Sequence, residues 1–248
     1  MAAEKTPMPE KQDEGMTDLH QHLLWGMDDG ARDMEESLAM LEEAARQGIA
    51  AVAATPHAIP GVRPFDAAAY EERLNLLREA EAARGLHVAL LSGAEIAYTG
   101  QTASALCRGL IPTLGGGEHV LIELWHDITW RETREAVCEM LRAGYFPILA
   151  HVERYACFVL EPKKALALRG ELEVRYQVNA GTFLRKQSVF TRRFLRIMME
   201  RGGFDLMASD AHGARRRVQN LRAGYEAAAA MAGYESAERL THFSCLTG

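Results

Sequence analysis

The chain has 248 residues, 48% hydrophobic and 25% charged, an ordinary globular composition that excludes a mainly disordered polypeptide. Its 28 basic and 34 acidic side chains leave a net charge of −6, which argues against bulk nucleic-acid binding, because that needs a basic footprint. No apolar run approaches the ~18–20 residues that span a bilayer, and 21 Gly, 8 Pro and 4 Cys exclude collagen-like and disulfide-framework classes.

Residues 1–15 are polar and carry no apolar period, so they are expected to form a disordered tail and lack the apolar stretch of a secretory signal. Met16 stands directly before the first apolar run and is an alternative start of translation. No two of the four cysteines form CxxC, so they read as reduced and the compartment as cytoplasmic. Short apolar runs then alternate with longer amphipathic stretches. The runs at 17–20, 49–54, 87–91, 120–124, 146–150, 174–178 and 206–208 read as buried strands. Residues 34–47, 66–84, 130–143, 162–169, 190–201 and 217–232 read as helices. Asp33 is a candidate N-cap, with Glu36 at the third helical position. The basic stretch 185–201 reads as a solvated helix face. No GxxxxGK[ST] loop occurs, and no GxGxxG follows a strand. Strict alternation without a composition break predicts one βα-repeating domain over 16–248, either a closed parallel barrel or a doubly wound sheet.

The chemistry-bearing residues sit at the ends of these runs. His20 and His22 end the first, and Asp28-Asp29-Gly30 follows. His57 ends the second, Glu95 the third, Glu123 the fourth and His151 the fifth. Asp210 and His212 end the seventh. In a parallel barrel all strand C-termini meet at one face, where active sites lie. So many imidazoles and carboxylates in one mouth need a partner, since buried charges must be paired or bind metal, and such ligands suit Zn, Mn or Fe. Nine candidate ligands exceed one ion's needs and imply two or three. Each residue alone would be a weak signal; the joint placement is the specific one. The other histidines, His87, His119, His126 and His242, have no such placement and read as structural or exposed. Arg154 and Arg217 follow ligand-bearing strand ends, and their guanidinium forks match phosphate oxygens, whereas Arg215 and Arg216 read as solvated. No GxSxG elbow and no CxxxxxR loop occurs, which leaves metal-activated water as the nucleophile.

The segments DLHQH, DDG, ATPH, GAEI, LIEL, AHVERY and ASDAH, in this order, resemble the PHP (polymerase and histidinol phosphatase) superfamily. DDG and HVERY narrow the resemblance to its bacterial protein-tyrosine phosphatases of capsule and exopolysaccharide biosynthesis, over about 16–217. The resemblance implies a distorted (β/α)7 TIM-like barrel of the PHP type with two to three divalent ions, manganese first and iron or zinc as alternatives. It implies that His20, His22, Glu95 and Asp210 hold one metal. Glu95, Glu123 and His151 hold the second, with Glu95 bridging, and Asp29, His57 and His212 hold the third. Arg154 and Arg217 grip the phosphate. The implied substrate is a phosphotyrosine protein, often the tyrosine-rich tail of a bacterial tyrosine kinase that regulates polysaccharide synthesis. The alternative enzyme is a PHP phosphoesterase for a small phosphomonoester such as histidinol phosphate. A metal-binding scaffold without turnover and a metal-dependent nuclease stand further off. Three departures are visible: the chain ends THFSCLTG instead of in an Asn-Pro segment, the N-terminal tail is extra, and Trp125-His126 follow the fourth-run glutamate.

Overall fold

The computed structural model describes residues 15–242. The expected tail lies outside these residues except for Gly15, and so does Cys245. The described strands are β1 (Met16–Gln21), β2 (Ile49–Ala54), β3 (His57–Ala58), β4 (Ala89–Ser92), β5 (Glu95–Ala97), β6 (His119–Glu123), β7 (Phe146–Leu149), β8 (Arg175–Asn179) and β9 (Leu206–Ala208). Every named pairing is parallel, in the orders β1-β2-β4 and β3-β5-β6-β7-β8-β9.

The two sheets are two stretches of one curled wall. β3 continues β2 beyond Thr55-Pro56, and β5 continues β4 beyond Gly93-Ala94. Pro56 has no N–H for the ladder and Gly93 no side chain to pack, so regular pairing lapses at this level. The Glu95 N–H donates to the Pro56 carbonyl at 3.1 Å and carries the connection across. Seven strand positions result. A parallel bridge between Gln21 and Ala211 closes them, helped by the Asp210 N–H to His20 carbonyl bond at 3.0 Å. The expected distorted seven-stranded barrel is therefore the observed architecture. The strand run expected at 87–91 begins instead at Ala89, because His87 has φ +58, outside the extended region.

Helices α1 (Met34–Arg46), α2 (Ala67–Arg84), α3 (Thr102–Cys107), α4 (Trp130–Arg142), α5 (Ala156–Leu160), α6 (Pro162–Glu171), α7 (Ala180–Leu184), α8 (Val189–Glu200), α9 (Leu221–Ala232) and α10 (Tyr234–Glu238) complete the described fold. Asp33 caps α1 as expected, accepting the Glu36 N–H at 2.8 Å. The last expected helix starts at Leu221, so Arg217 belongs to the preceding loop, with φ +47. The stretch 185–201 is not one solvated face. Arg185 precedes α8, and α8 buries Phe194, Leu195, Met198 and Met199.

Alternation along the strands separates two cores. One face contributes Val52, Val120, Ile122, Leu149, Tyr176 and Met207 to the layer under the helices. The other lines the barrel with Leu19, Leu91, Leu121, Ile148, Leu206 and Ala208. Continuing the inward-facing period brings His57 after Ala53, Glu123 after Leu121 and Asp210 after Ala208. A register shift between Asp18 and Gln21 lets His20 serve the same interior as Leu19. The aliphatic floor thus ends in a polar mouth.

Candidate metal centre

Glu95 stands at the middle of this mouth, 1% exposed. Its Oε2 lies 3.2 Å from Nε2 of His20, 3.2 Å from Nε2 of His22 and 3.0 Å from Nδ1 of His57. Its Oε1 accepts from Nε2 of His151 at 2.8 Å. Two further carboxylates flank it. Asp210 Oδ1 is 3.6 Å from Nε2 of both His20 and His22, and Glu123 Oε1 is 3.5 Å from Nε2 of His151. On the outer side, Asp29 Oδ1 lies 3.5 Å from Nε2 of both His57 and His212. The rings of His22 and His212 lie against each other, tilted by 32° with centroids 3.7 Å apart.

All nine residues expected as ligands therefore converge. Seven of them form three groups, each with donor atoms within 4.8 Å, that could hold an ion: His20, His22 and Glu95; His57, Glu95 and Glu123; and His22, Asp29, His57 and His212. His151 and Asp210 lie outside these groups but contact Glu95 and the first histidine pair at their edge. The donor chemistry fits metal. Glu95 Oε2 and His212 Nε2 are buried without a hydrogen-bond partner, although three imidazole nitrogens crowd the former. Nε2 of His20 and of His22 are only 3.3 Å apart. Lone pairs converging on one point are what imidazole and carboxylate ligands offer a divalent ion.

The electrostatics agree. Burial would push the Glu95 carboxyl up, but the His20 charge and the imidazole contacts hold it well below the usual carboxylate range. Burial would likewise push His20 and His22 down. The charges of Glu95 and Asp210 raise His20 instead, and bonds to Asp28 and Glu95 bring His22 up to about 10. His212, buried and beside His22, falls to about 4. Buried carboxylates are thus holding cationic charge on the first histidine pair, and a divalent ion answers the same demand.

The supporting residues were less visible in the sequence. Asp28 Oδ2 accepts from Nδ1 of His22 at 2.6 Å and from the His57 N–H at 2.8 Å, and Oδ1 accepts the Gly30 N–H at 2.9 Å. It turns Nε2 of His22 toward Glu95. Gly30 is required here: an added Cβ would lie 2.1 Å from the His22 carbonyl oxygen. Gln177 accepts the His151 N–H at 2.7 Å, lies 3.2 Å from Nδ1 of His20, and donates to Asn179 at 2.6 Å. Asn179 donates to Asp210 Oδ2 at 2.7 Å. Two polar residues two apart in a buried strand, facing the interior, were the signal for these.

Arg154 and Arg217 also reach the mouth. Arg154 donates to Asp210 Oδ2 at 2.7 Å and Arg217 to Asp210 Oδ1 at 2.8 Å. Three of the positions here, His151, Asp210 and Arg217, have positive φ of 33, 54 and 47°, which is uncommon outside glycine and gathers at functional sites. His87, His119, His126 and His242 take no part in the donor groups.

A parallel barrel whose strand ends present a histidine–carboxylate donor cluster defines a metal-dependent hydrolase of the TIM-like type. The chain belongs to the CpsB/CapC family of capsular polysaccharide synthesis, whose model matches residues 16–244. It is 28% identical over 231 residues to tyrosine-protein phosphatase CpsB of Streptococcus agalactiae, covering 91% of this chain and 94% of that one. It is 31% identical over 206 residues to tyrosine-protein phosphatase YwqE of Bacillus subtilis, covering 82% and 79%. Crystal structures of YwqE and of Streptococcus pneumoniae CpsB are described as unique metal-dependent tyrosine phosphatases. The match to them has a TM-score of 0.81 at 28% identity and covers 91% of both chains.

Proposed function

We propose that this chain is a metal-dependent protein-tyrosine phosphatase, acting in the cytoplasm on a phosphotyrosine protein, with the tyrosine-rich tail of a kinase that regulates polysaccharide synthesis as its substrate. The observation that carries this reading is the single carboxylate of Glu95 encircled by His20, His22, His57 and His151, beside an Asp210 held by two arginines. His20, His22, Glu95 and Asp210 would hold one ion. Glu95, Glu123 and His151 would hold a second, with Asp29, His57 and His212 around a third. Manganese is the proposed metal. Bound ions supply Lewis-acid stabilisation of phosphoryl charge and lower the pKa of the attacking water.

The rest falls to the chain's own residues. Phosphoryl transfer asks a protein mainly for positioning and for charge stabilisation. Arg154, at the end of the short 3-10 turn Val152–Arg154 after β7, and Arg217, in the loop after β9, approach Asp210 from two sides, so their remaining N–H groups can fork onto a phosphate placed over the cluster. Asp210 sets their separation. The leaving phenolate has a pKa near ~10, so departure needs little help from an acid. Asp28 and Gln177 fix the rings of His22 and His20, as outer partners of ligand histidines do.

The test is phosphate release from a phosphotyrosine peptide by metal-stripped protein to which single divalent ions are returned. Turnover should vanish on stripping and return best with manganese. Full turnover in protein shown metal-free by elemental analysis overturns the reading. Turnover of histidinol phosphate but not of the peptide would favour the small-substrate alternative.

A further inference from the structure

A cavity of about 220 Å³ opens beside the metal centre and shares His57 with it. Its apolar walls include Met27, Ile59 and Phe65, and two arginines, Arg63 and Arg73, complete it. Neither arginine forms an ion pair with a carboxylate among the described residues. Arg73 is half-buried; its guanidinium lies beside Gly26 and over Trp25, whose ring centroid is 5.9 Å from the guanidinium carbon. Arg63 is exposed at the rim. Asp66 also borders the cavity, but its carboxylate caps α2 by accepting the Ala69 N–H at 3.0 Å. A guanidinium drawn partly out of water normally finds an anion. Here the half-buried Arg73 and the exposed Arg63 border an open space walled in part by apolar side chains.

We propose that this cavity is a second phosphotyrosine subsite, which binds a neighbouring, non-scissile phosphotyrosine of the same polypeptide. The inference rests on the tyrosine-phosphatase reading above. The chemistry of the pocket is that of the ligand: an aromatic ring against Phe65, Ile59 and Met27, and a dianion forked by Arg63 and Arg73. An aspartate or glutamate would satisfy the arginines and leave the apolar walls uncovered. His57 belongs to both the cavity wall and the donor cluster, so the two phosphates lie a few residues apart. At ~3.3–3.6 Å per extended residue, one to three intervening residues bridge them. The enzyme would therefore favour tails phosphorylated on more than one tyrosine, and would lose that preference at the last phosphate.

The experiment compares kcat/KM of manganese-loaded enzyme on three peptides of one sequence: one phosphotyrosine with tyrosine at the second position, one with aspartate there, and one with phosphotyrosine there. The doubly phosphorylated peptide should exceed the singly phosphorylated one by about tenfold, the equivalent of ~1.4 kcal/mol. Arg63→Ala and Arg73→Gln should each reduce this ratio while turnover of the singly phosphorylated peptide stays near wild type. Equal acceleration by the aspartate peptide overturns the proposal, because the pocket then reads charge alone. Equal loss on all peptides also overturns it, since the cavity would then hold the scissile ring. No difference among the peptides in an enzyme that cleaves them all overturns it as well, whereas cleavage of none refutes the phosphatase reading itself.

Discussion

At the scale of single residues the centre depends on one shared carboxylate and on the groups that aim its neighbours. Glu95→Gln keeps the shape but removes the charge that Nε2 of His20 and of His22 both face. Metal content should fall and phosphatase activity nearly vanish while circular dichroism stays normal; retention of metal with near-normal turnover would remove Glu95 from the centre. Arg154→Ala and Arg217→Ala should each cost about 1.5–3 kcal/mol of transition-state stabilisation, roughly 10- to 150-fold in kcat/KM. Metal content should remain, because Asp210 keeps one arginine and Asn179. Lysine at either position should rescue poorly, as it lacks the fork, and unchanged kinetics in both alanine variants would take them out of the site. Asp28→Asn replaces the acceptor that fixes His22, and metal affinity should drop about 10- to 100-fold in a metal titration. The convergent donors were legible in the sequence because all but Asp29 close an apolar run. Asp28 and Asp29 are adjacent acids in one loop, and spacing alone does not separate them; the family resemblance picks Asp29, and the fold places it against His57 and His212 while Asp28 backs His22.

At the scale of elements, the seven strand runs were legible because each is a short apolar segment bounded by polar residues or glycine. The division of two of them was not. Pro56 and Gly93 interrupt β2–β3 and β4–β5 where the wall bends toward the mouth, and hydrophobicity does not register a missing N–H. The helix expected from 217 begins only at Leu221. Arg217, Val218, Gln219 and Asn220 include no helix-breaking residue, but Gln219 is drawn inward to donate to Asp18 at 2.7 Å and so keeps the segment out of the helix. This packing is tight further on. A Cβ at Gly224 would lie 2.5 Å from Cβ of Ala180 and 2.8 Å from its Cα, so α9 touches α7 nearly backbone to backbone. Gly224→Ala should destabilise the protein by about 1–3 kcal/mol through overpacking, against the gain in helix propensity that the same change brings at an open site. Thermal or denaturant unfolding checks the sign: a rise in stability would mean that α7 yields freely.

At the scale of the whole molecule, the barrel and the centre are held by different forces. The aliphatic interior and the layer under the helices bury apolar surface independently of any ion, so the metal-free chain should fold. The mouth, however, confines Glu95, Asp210 and Asp28 with five buried or half-buried histidines, beside the closure between β1 and β9 where the ladder is a single bridge. An ion that binds only the folded form adds stability by mass action, about 2.7 kcal/mol per site at a hundredfold excess over Kd. For a chain of this size each kcal/mol moves Tm by roughly 2–4 °C. Saturating manganese should therefore raise Tm by about 5–11 °C for each site filled, as read by calorimetry on stripped and reloaded protein. The increment should shrink in Glu95→Gln, in which the ligand set is damaged, and persist in Arg154→Ala, in which only the phosphate grip is lost. An equal Tm increment in all three proteins would mean that manganese stabilises the fold from somewhere other than the mouth, and the assignment of these nine residues as its ligands would fail with it.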